Sequence, residues 1–167
     1  GTGSPMYYAA RIAKEKYPDA KIVFVGPCVA KRKEAQRDEA VDFVMTFEEV
    51  SSIFDAFEVN LEIVQPYAME FSSVREAHGF AQAGGVMGAV KAFLKMEADK
   101  INAIQVSDLN KKNIGTLRAY AKSGKAPGQF IEVMACEGGC ITGPSTHSGS
   151  NGKRQLVQEL AKQEKTY

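Results

Sequence analysis

The sequence predicts an α/β fold, a mainly parallel four-stranded sheet flanked by helices. Short β-rich runs alternate with segments of helical periodicity along the 167 residues, which is the pattern of a parallel sheet with helical connections. The first run, Ile22-Val23-Phe24-Val25, is continuously apolar, as in strands buried on both faces of such a sheet. Because a domain has roughly 150 residues, we expect residues 1–167 to form a single α/β lobe.

Four β-rich runs predict the strands, and they cover residues 21–25, 41–45, 101–106 and 130–134. Turn-forming or helix-capping residues follow them, so each strand is expected to be short. In parallel α/β sheets, ligands bind outside the carboxyl ends of the strands. The residues just after these runs are therefore the candidates for a functional site.

Helical periodicity predicts five helices, over residues 5–17, 46–57, 86–96, 113–122 and 151–165. Ser4 is a good N-cap for the first helix, Pro5 suits its first turn, and Pro18 ends it. Thr46 followed by Glu49 has the spacing of a capping box, which places the start of the second helix.

Composition excludes several classes of function. Lys and Arg number 21 and Asp and Glu 20, a net charge of +1, which argues against a nucleic-acid partner. No apolar run is long enough to span a membrane, and no signal peptide opens the sequence, so we expect a cytoplasmic protein. Gly1-Thr2-Gly3 has the look of a tag remnant or a cut point.

The three cysteines all follow predicted strands. Cys28 comes after the first strand, and Cys136 and Cys140 come after the fourth, so all three are expected at one crevice. Soft thiolates select zinc, copper or iron–sulfur clusters. Gly138 and Gly139 lie between the second and third cysteine, where the lack of side chains lets backbone approach a bulky inorganic group. The alternative is that the cysteines are small buried apolar residues.

Lys31 and Glu34 stand three and six residues after Cys28. An ammonium group there is able to donate hydrogen bonds to an anionic ligand, and a carboxylate is able to relay protons. Alternatively, the mixed charges of residues 31–34 form a solvated helix face.

Two segments together resemble the iron-only hydrogenases, in their cluster-binding catalytic domain. The first is Gly-Pro-Cys-Val-Ala-Lys-Arg-Lys-Glu-Ala over residues 26–35. The second is Glu-Val-Met-Ala-Cys-Glu-Gly-Gly-Cys-Ile-Thr-Gly over residues 132–143. Residues 84–87, Gly-Gly-Val-Met, are similar to a helix start in that family. The resemblance extends over residues 4–143 and implies one lobe of a two-lobed catalytic domain.

The resemblance implies a cofactor site. Cys28, Cys136 and Cys140 would be three of the four ligands of a 4Fe–4S cluster. Cys140 would also bridge to a di-iron subcluster with carbon monoxide, cyanide and dithiolate ligands, completing the H-cluster.

The resemblance also implies an activity, the reversible reduction of protons to dihydrogen. Lys31 would hydrogen-bond a cyanide, Met134 would pack beside the subcluster, and Glu34 would belong to a proton path. In such an enzyme the cofactor makes and breaks the bonds, and the protein supplies ligands and a dry pocket.

The departures from the family pattern are informative. The Thr-Ser-Cys-Cys-Pro motif that holds the fourth ligand is absent from the sequence. We therefore expect a fragment whose partners are the N-terminal remainder of the domain and a ferredoxin-like electron carrier. Alone, it is expected to lack metal or hold a labile cluster, to be inactive, and to self-associate through a bare apolar flank. Gly26 and the Pro-Ser-Thr-His segment at 144–147 resemble the sensory branch of the family.

Two other functions remain open. The first is a non-catalytic iron–sulfur assembly factor or scaffold of the same fold. The second is a zinc-binding interaction module that uses the three cysteines and His147.

Overall fold

The computed structural model describes residues 2–65, 67, 73–148, 151–164 and 167. The chain forms two compact units. Unit 1 comprises Gly1–Pro66 and Pro144–His147, and unit 2 comprises Tyr67–Gly143 and Ser148–Tyr167. Helices alternate with parallel strands in each unit, which confirms the predicted α/β class. Among the described residues, no helix combines the length and apolar character needed to cross a membrane.

Unit 1 contains three helices and two strands, namely α1 (Pro5–Lys16), β1 (Val23–Val25), α2 (Ala30–Ala35), β2 (Phe43–Met45) and α3 (Phe47–Ala56). β1 and β2 pair in parallel, with Val23 opposite Phe43 and Val25 opposite Met45. The local start signals behave as predicted. The Ser4 side chain accepts from the Tyr7 backbone N–H at 3.3 Å, and Thr46 and Glu49 form a complete capping box.

One face of the β1–β2 ladder forms the core of unit 1. Met6 and Ala10, one turn apart on α1, are buried with Ala40 and Val41, and Ile22, Phe24, Ala35 and Val44 pack against them. On the opposite face, the side chains of Val23, Val25 and Phe43 are 43–58% exposed. The expectation that the first strand is buried on both faces is therefore wrong, because the core residues contact the Phe24 side of this ladder.

Unit 2 contains four α-helices, three 3-10 helices and two strands among its described residues. In chain order they are α4 (Arg75–His78), a 3-10 helix (Gly79–Ala81), α5 (Gly85–Leu94), a 3-10 helix (Lys95–Lys100), β3 (Ala103–Ser107), α6 (Lys111–Ser123), β4 (Phe130–Met134), a 3-10 helix (Cys140–Thr142) and α7 (Gly152–Ala161). β3 and β4 pair in parallel from Ala103 opposite Phe130 to Ser107 opposite Met134.

The four strands lie where the sequence predicts them, but the four-stranded sheet is a wrong expectation. In the described part of the chain the strands form two separate two-stranded ladders, β1–β2 and β3–β4. Apolar runs identify strands, whereas the choice of partner depends on packing between distant segments. At the start of the unit 1 ladder, the Ile22 backbone N–H donates to the Asp42 carboxylate at 2.8 Å, and the Ile22 carbonyl accepts from the Phe43 N–H at 3.1 Å.

Asp42 holds the start of β1 against the start of β2. Besides Ile22, its carboxylate contacts the ammonium groups of Lys21 at 3.0 Å and Lys14 at 3.3 Å. The backbone hydrogen bond from Ile22, followed by those from the lysines, lowers the pKa of Asp42 from 3.8 to about 2. Because the pKa is lower in the folded state, this carboxylate adds stability above pH 3.8, and the contribution disappears as the pH falls towards about 2.

We expect Asp42→Asn to lower the Tm at neutral pH, since the amide keeps one acceptor but loses both ion pairs. The difference in Tm from the wild type should shrink as the pH is lowered from about 4 to about 2. Thermal unfolding followed by circular dichroism measures both effects. Asp19→Asn, an exposed carboxylate in the turn after α1, is the matched control and should leave the Tm unchanged. A difference that does not depend on pH would contradict this role.

Candidate functional site

The carboxyl end of the β3–β4 ladder bears two of the three cysteines. β4 ends at Met134, which pairs with Ser107 at the end of β3. Cys136 lies just beyond β4, and Cys140 begins the next 3-10 helix. Both thiols are half-buried. The loop between them determines how these two soft ligands are presented.

Residues 136–139 form a tight turn that requires glycine. The Gly139 backbone N–H donates to the Cys136 carbonyl at 3.1 Å, and Gly138 has φ +81°, as at the third position of a type II turn. Gly139 has φ +103°, and a Cβ there would lie 2.5 Å from the Ala83 nitrogen and 2.7 Å from the Ala81 oxygen. The space beside Gly139 is thus taken by the protein's own backbone, where the sequence suggested an inorganic group.

Three neighbours hold the backbone of this turn. The Ser107 hydroxyl accepts from the Gly138 N–H at 3.0 Å and donates to the Cys136 carbonyl at 3.4 Å. The Ala83 N–H donates to the Gly138 carbonyl at 3.0 Å. The Thr142 hydroxyl shares its one hydrogen between two carbonyls, that of Gly139 at 2.9 Å and that of residue 137. Sequence reasoning missed Ser107, whose only signal is a polar residue at the end of a β-rich run.

Glu132 connects β4 to the start of α5. Its side chain is 5% exposed and accepts from the backbone N–H groups of Gly84 at 2.6 Å and Met87 at 2.7 Å. The first N–H groups of a helix lack partners within the helix, and a carboxylate also suits the positive end of the helix dipole. Glu132 is part of the sequence motif, but the motif alone assigned it no role.

Cys28 is in unit 1, after β1 and at the start of α2. Its carbonyl accepts from the Lys31 N–H at 3.2 Å, which begins the helical turn. Two residues earlier, a Cβ on Gly26 would lie 2.8 Å from the Phe24 ring, so a larger residue there requires Phe24 to move. The Cys28 thiol is half-buried.

Lys31 and Glu34, three and six residues after Cys28, form an ion pair. The Lys31 ammonium donates to Glu34 Oε2 at 2.5 Å, and the Ser4 hydroxyl donates to Oε1. Partial burial acts to raise the pKa of Glu34, but the hydrogen bonds from Lys31 and Ser4 outweigh it, so the pKa is lowered. The pair thus joins α2 to the residue that caps α1.

The donor set suits an iron–sulfur cluster, because thiolates are the usual ligands of such clusters. Cys28 belongs to unit 1 and the Cys136–Cys140 pair to unit 2. Within either unit, the residues described contain no group of three or more His, Cys, Asp or Glu side chains arranged to hold a metal ion. Binding of one cluster by all three thiols stays a prediction, as do the roles assigned to Lys31, Glu34 and Met134.

A sequence model of the iron-only hydrogenase large subunit, C-terminal domain, matches residues 1–144. The chain belongs to this family. Among solved structures, two FeFe-hydrogenases share the fold. One, reported for stepwise H-cluster assembly, has a TM-score of 0.57 at 20% identity over 93% of this chain. The other, reported for oxygen inactivation, has a TM-score of 0.62 at 19% identity over 97% of this chain. The chain covers 57% and 59% of those two chains.

The curated proteins that the chain resembles are not named as hydrogenases. The cytosolic Fe-S cluster assembly factor narfl of Danio rerio is 28% identical over 85% of this chain and 46% of its own length. The nuclear prelamin A recognition factor of Danio rerio is 27% identical over 83% and 39%. The cytosolic iron-sulfur assembly component 3 of Rattus norvegicus is 25% identical over 83% and 38%. The chain thus spans less than half the length of these relatives.

These relatives correct the expectation that the parent protein is a hydrogenase. The assignment as an enzyme is contradicted, because the curated relatives include cytosolic iron–sulfur assembly factors from fish, insects, frog and rat. The physical reason is that the motifs specify a fold and a set of thiol ligands, and the same fold and ligands serve different functions.

We expect Gly139→Ala to destabilise the protein by about 2 kcal/mol or more, since the added methyl group meets backbone atoms and the residue has positive φ. Gly88→Ala is the matched control, because Gly88 is helical, exposed and has no neighbour within 4 Å of an added Cβ. That variant should gain about 1 kcal/mol in helix propensity. Urea unfolding measures both, and equal effects would contradict the packing described.

We expect Glu132→Ala to cost about 2 kcal/mol, because two N–H groups at the start of α5 lose their acceptor. Glu132→Gln keeps one acceptor oxygen and should cost less. Glu137→Ala, an exposed carboxylate on the neighbouring loop, should have little effect. The same urea titration ranks the three variants. A Glu137 effect as large as that of Glu132 would exclude the capping role.

Proposed function

We propose that this chain is the iron–sulfur-binding part of a non-catalytic, cytosolic iron–sulfur assembly factor. In this proposal Cys28, Cys136 and Cys140 supply three thiolate ligands to a 4Fe–4S cluster. The observation that supports it most directly is the glycine turn that presents Cys136 and Cys140 at the end of β4. The names of the curated relatives support the assembly role and the cytosolic location.

The turn supports metal binding because it orders the backbone between two ligands. Backbone groups of residues 136–139 form hydrogen bonds with Ser107, Ala83 and Thr142. Little conformational entropy then remains to be lost when the two thiolates bind iron. A bound cluster would accept electrons at its iron atoms, or would itself be passed on to another protein.

The fourth ligand is proposed to come from the remainder of the protein. A 4Fe–4S cluster is ordinarily held by four cysteines, and this sequence contains three. The curated relatives are more than twice as long as the segment that matches them. We therefore expect a cluster on this chain alone to be labile.

Lys31 and Glu34 fit a structural role in this proposal. The Lys31 ammonium nitrogen lies 2.5 Å from a Glu34 carboxylate oxygen, and the Lys31 side chain is 20% exposed, so its charge is already paired within unit 1. Through Ser4, the pair connects the start of α1 to the helix that follows Cys28. We propose that it keeps the Cys28 turn in place.

Anaerobic reconstitution with ferrous iron and sulfide tests the proposed function. We expect the wild type to retain iron and acid-labile sulfide after desalting and to lose them to a chelator. Cys28→Ser, Cys136→Ser and Cys140→Ser should each remove most of the retained iron, because each deletes a ligand. The measurements are iron and sulfide per chain and the electron paramagnetic resonance spectrum after reduction.

His147→Ala is the control variant, since His147 is exposed and has no part in the proposed ligand set. It should retain iron like the wild type. A wild type that retains no iron, or cysteine variants that retain as much as the wild type, would refute the proposal. Retention of zinc that depends on His147 would favour the zinc module.

A further inference from the structure

Ser107 connects a neighbouring strand to the loop that contains the cysteine pair. It is the last residue of β3, half-buried, and its hydroxyl lies between two backbone groups of the turn after β4. The Gly138 N–H donates to it at 3.0 Å, and it donates to the Cys136 carbonyl at 3.4 Å. A hydroxyl has one donor and two acceptor sites, so one side chain is able to satisfy both groups.

These two contacts restrain the turn from outside the loop. The Cys136 carbonyl also accepts from the Gly139 N–H at 3.1 Å, so it receives one hydrogen bond from within the turn and one from Ser107. The Leu109 N–H donates to the Ala135 carbonyl at 3.1 Å, which extends the contact of the two segments beyond the paired strands. The position of Cys136 therefore depends on β3 as well as on its own strand.

We propose that Ser107 is a positioning residue for the cysteine pair, and this inference rests on the proposed function. Its hydroxyl fixes the turn between Cys136 and Cys140 before iron arrives. Residues that orient metal ligands through hydrogen bonds typically change metal affinity by about 10- to 100-fold when they are mutated. Without the hydroxyl, the Gly138 N–H loses its acceptor and the Cys136 carbonyl loses one of its two donors. The turn is then less restrained, and the two thiolates must be ordered when the metal binds.

The test compares Ser107→Ala, Ser107→Thr and Ser123→Ala in the reconstituted chain. Ser123 is a close match, because its hydroxyl accepts from the Lys125 N–H at 3.2 Å and lies 3.4 Å from the Tyr120 carbonyl. It stands at the end of α6, outside the loop with the cysteines. Loss of its hydroxyl therefore removes similar hydrogen bonds without touching the turn.

We expect Ser107→Ala to release iron to a chelator about tenfold faster than the wild type and to alter the resonance spectrum of the reduced cluster. Ser107→Thr keeps the hydroxyl and should restore both properties. Ser123→Ala should behave like the wild type in both. Unchanged release from Ser107→Ala, or equally fast release from Ser123→Ala, would overturn the inference.

A cadmium titration separates this inference from the proposed function. Cadmium ion binds pairs of thiolates without added iron or sulfide. The cadmium affinity lost in Cys136→Ser measures the contribution of the Cys136–Cys140 pair. If the wild type assembles no iron–sulfur cluster, the proposed function fails. Ser107 is then tested by cadmium affinity, which should be about tenfold weaker in Ser107→Ala. Equal cadmium affinities in wild type and Ser107→Ala would overturn the positioning role.

Discussion

The arrangement of the cysteine pair depends on the requirement that buried backbone groups find hydrogen-bond partners. After β4 the chain reverses within four residues, and the reversal uses backbone conformations that favour glycine. The polar groups that this turn exposes are satisfied by a side chain of β3, by a backbone N–H before α5 and by a hydroxyl just after the turn. The turn that carries the thiols is thereby attached to the five-residue ladder of β3 and β4.

The contacts of Glu132 explain why the glycine-rich start of α5, at Gly84 and Gly85, is not an open anion-binding site. A helix start preceded by glycines ordinarily presents free N–H groups to a phosphate. Here the Glu132 carboxylate already accepts from two of them, Gly84 and Met87. The motif residues thus act in two ways, since the cysteines follow the end of the strand while the glutamate stabilises the start of α5.

Structural features that depend on residues close together in the sequence could be predicted from it. Contacts between residues far apart in the sequence could not. The Ser4 cap, the Thr46–Glu49 capping box and the four strands depend on neighbours in the chain and appear as expected. Glu132 bonds a residue 48 positions away, and Ser107 bonds one 31 positions away. Such contacts follow from the packing of strands and helices, which periodicity does not describe. For the same reason the sequence predicted four strands but not their division into two ladders.

The two hydrogen bonds that Glu34 accepts have a consequence for proton movement. A group that shuttles protons must gain and lose one near the ambient pH. Glu34 has each carboxylate oxygen occupied by a donor, Lys31 on one side and Ser4 on the other, and its pKa is displaced downwards. Each proton that Glu34 gained would remove the negative charge that pairs with Lys31, so proton movement at this position is coupled to the contact between α2 and the residue that caps α1.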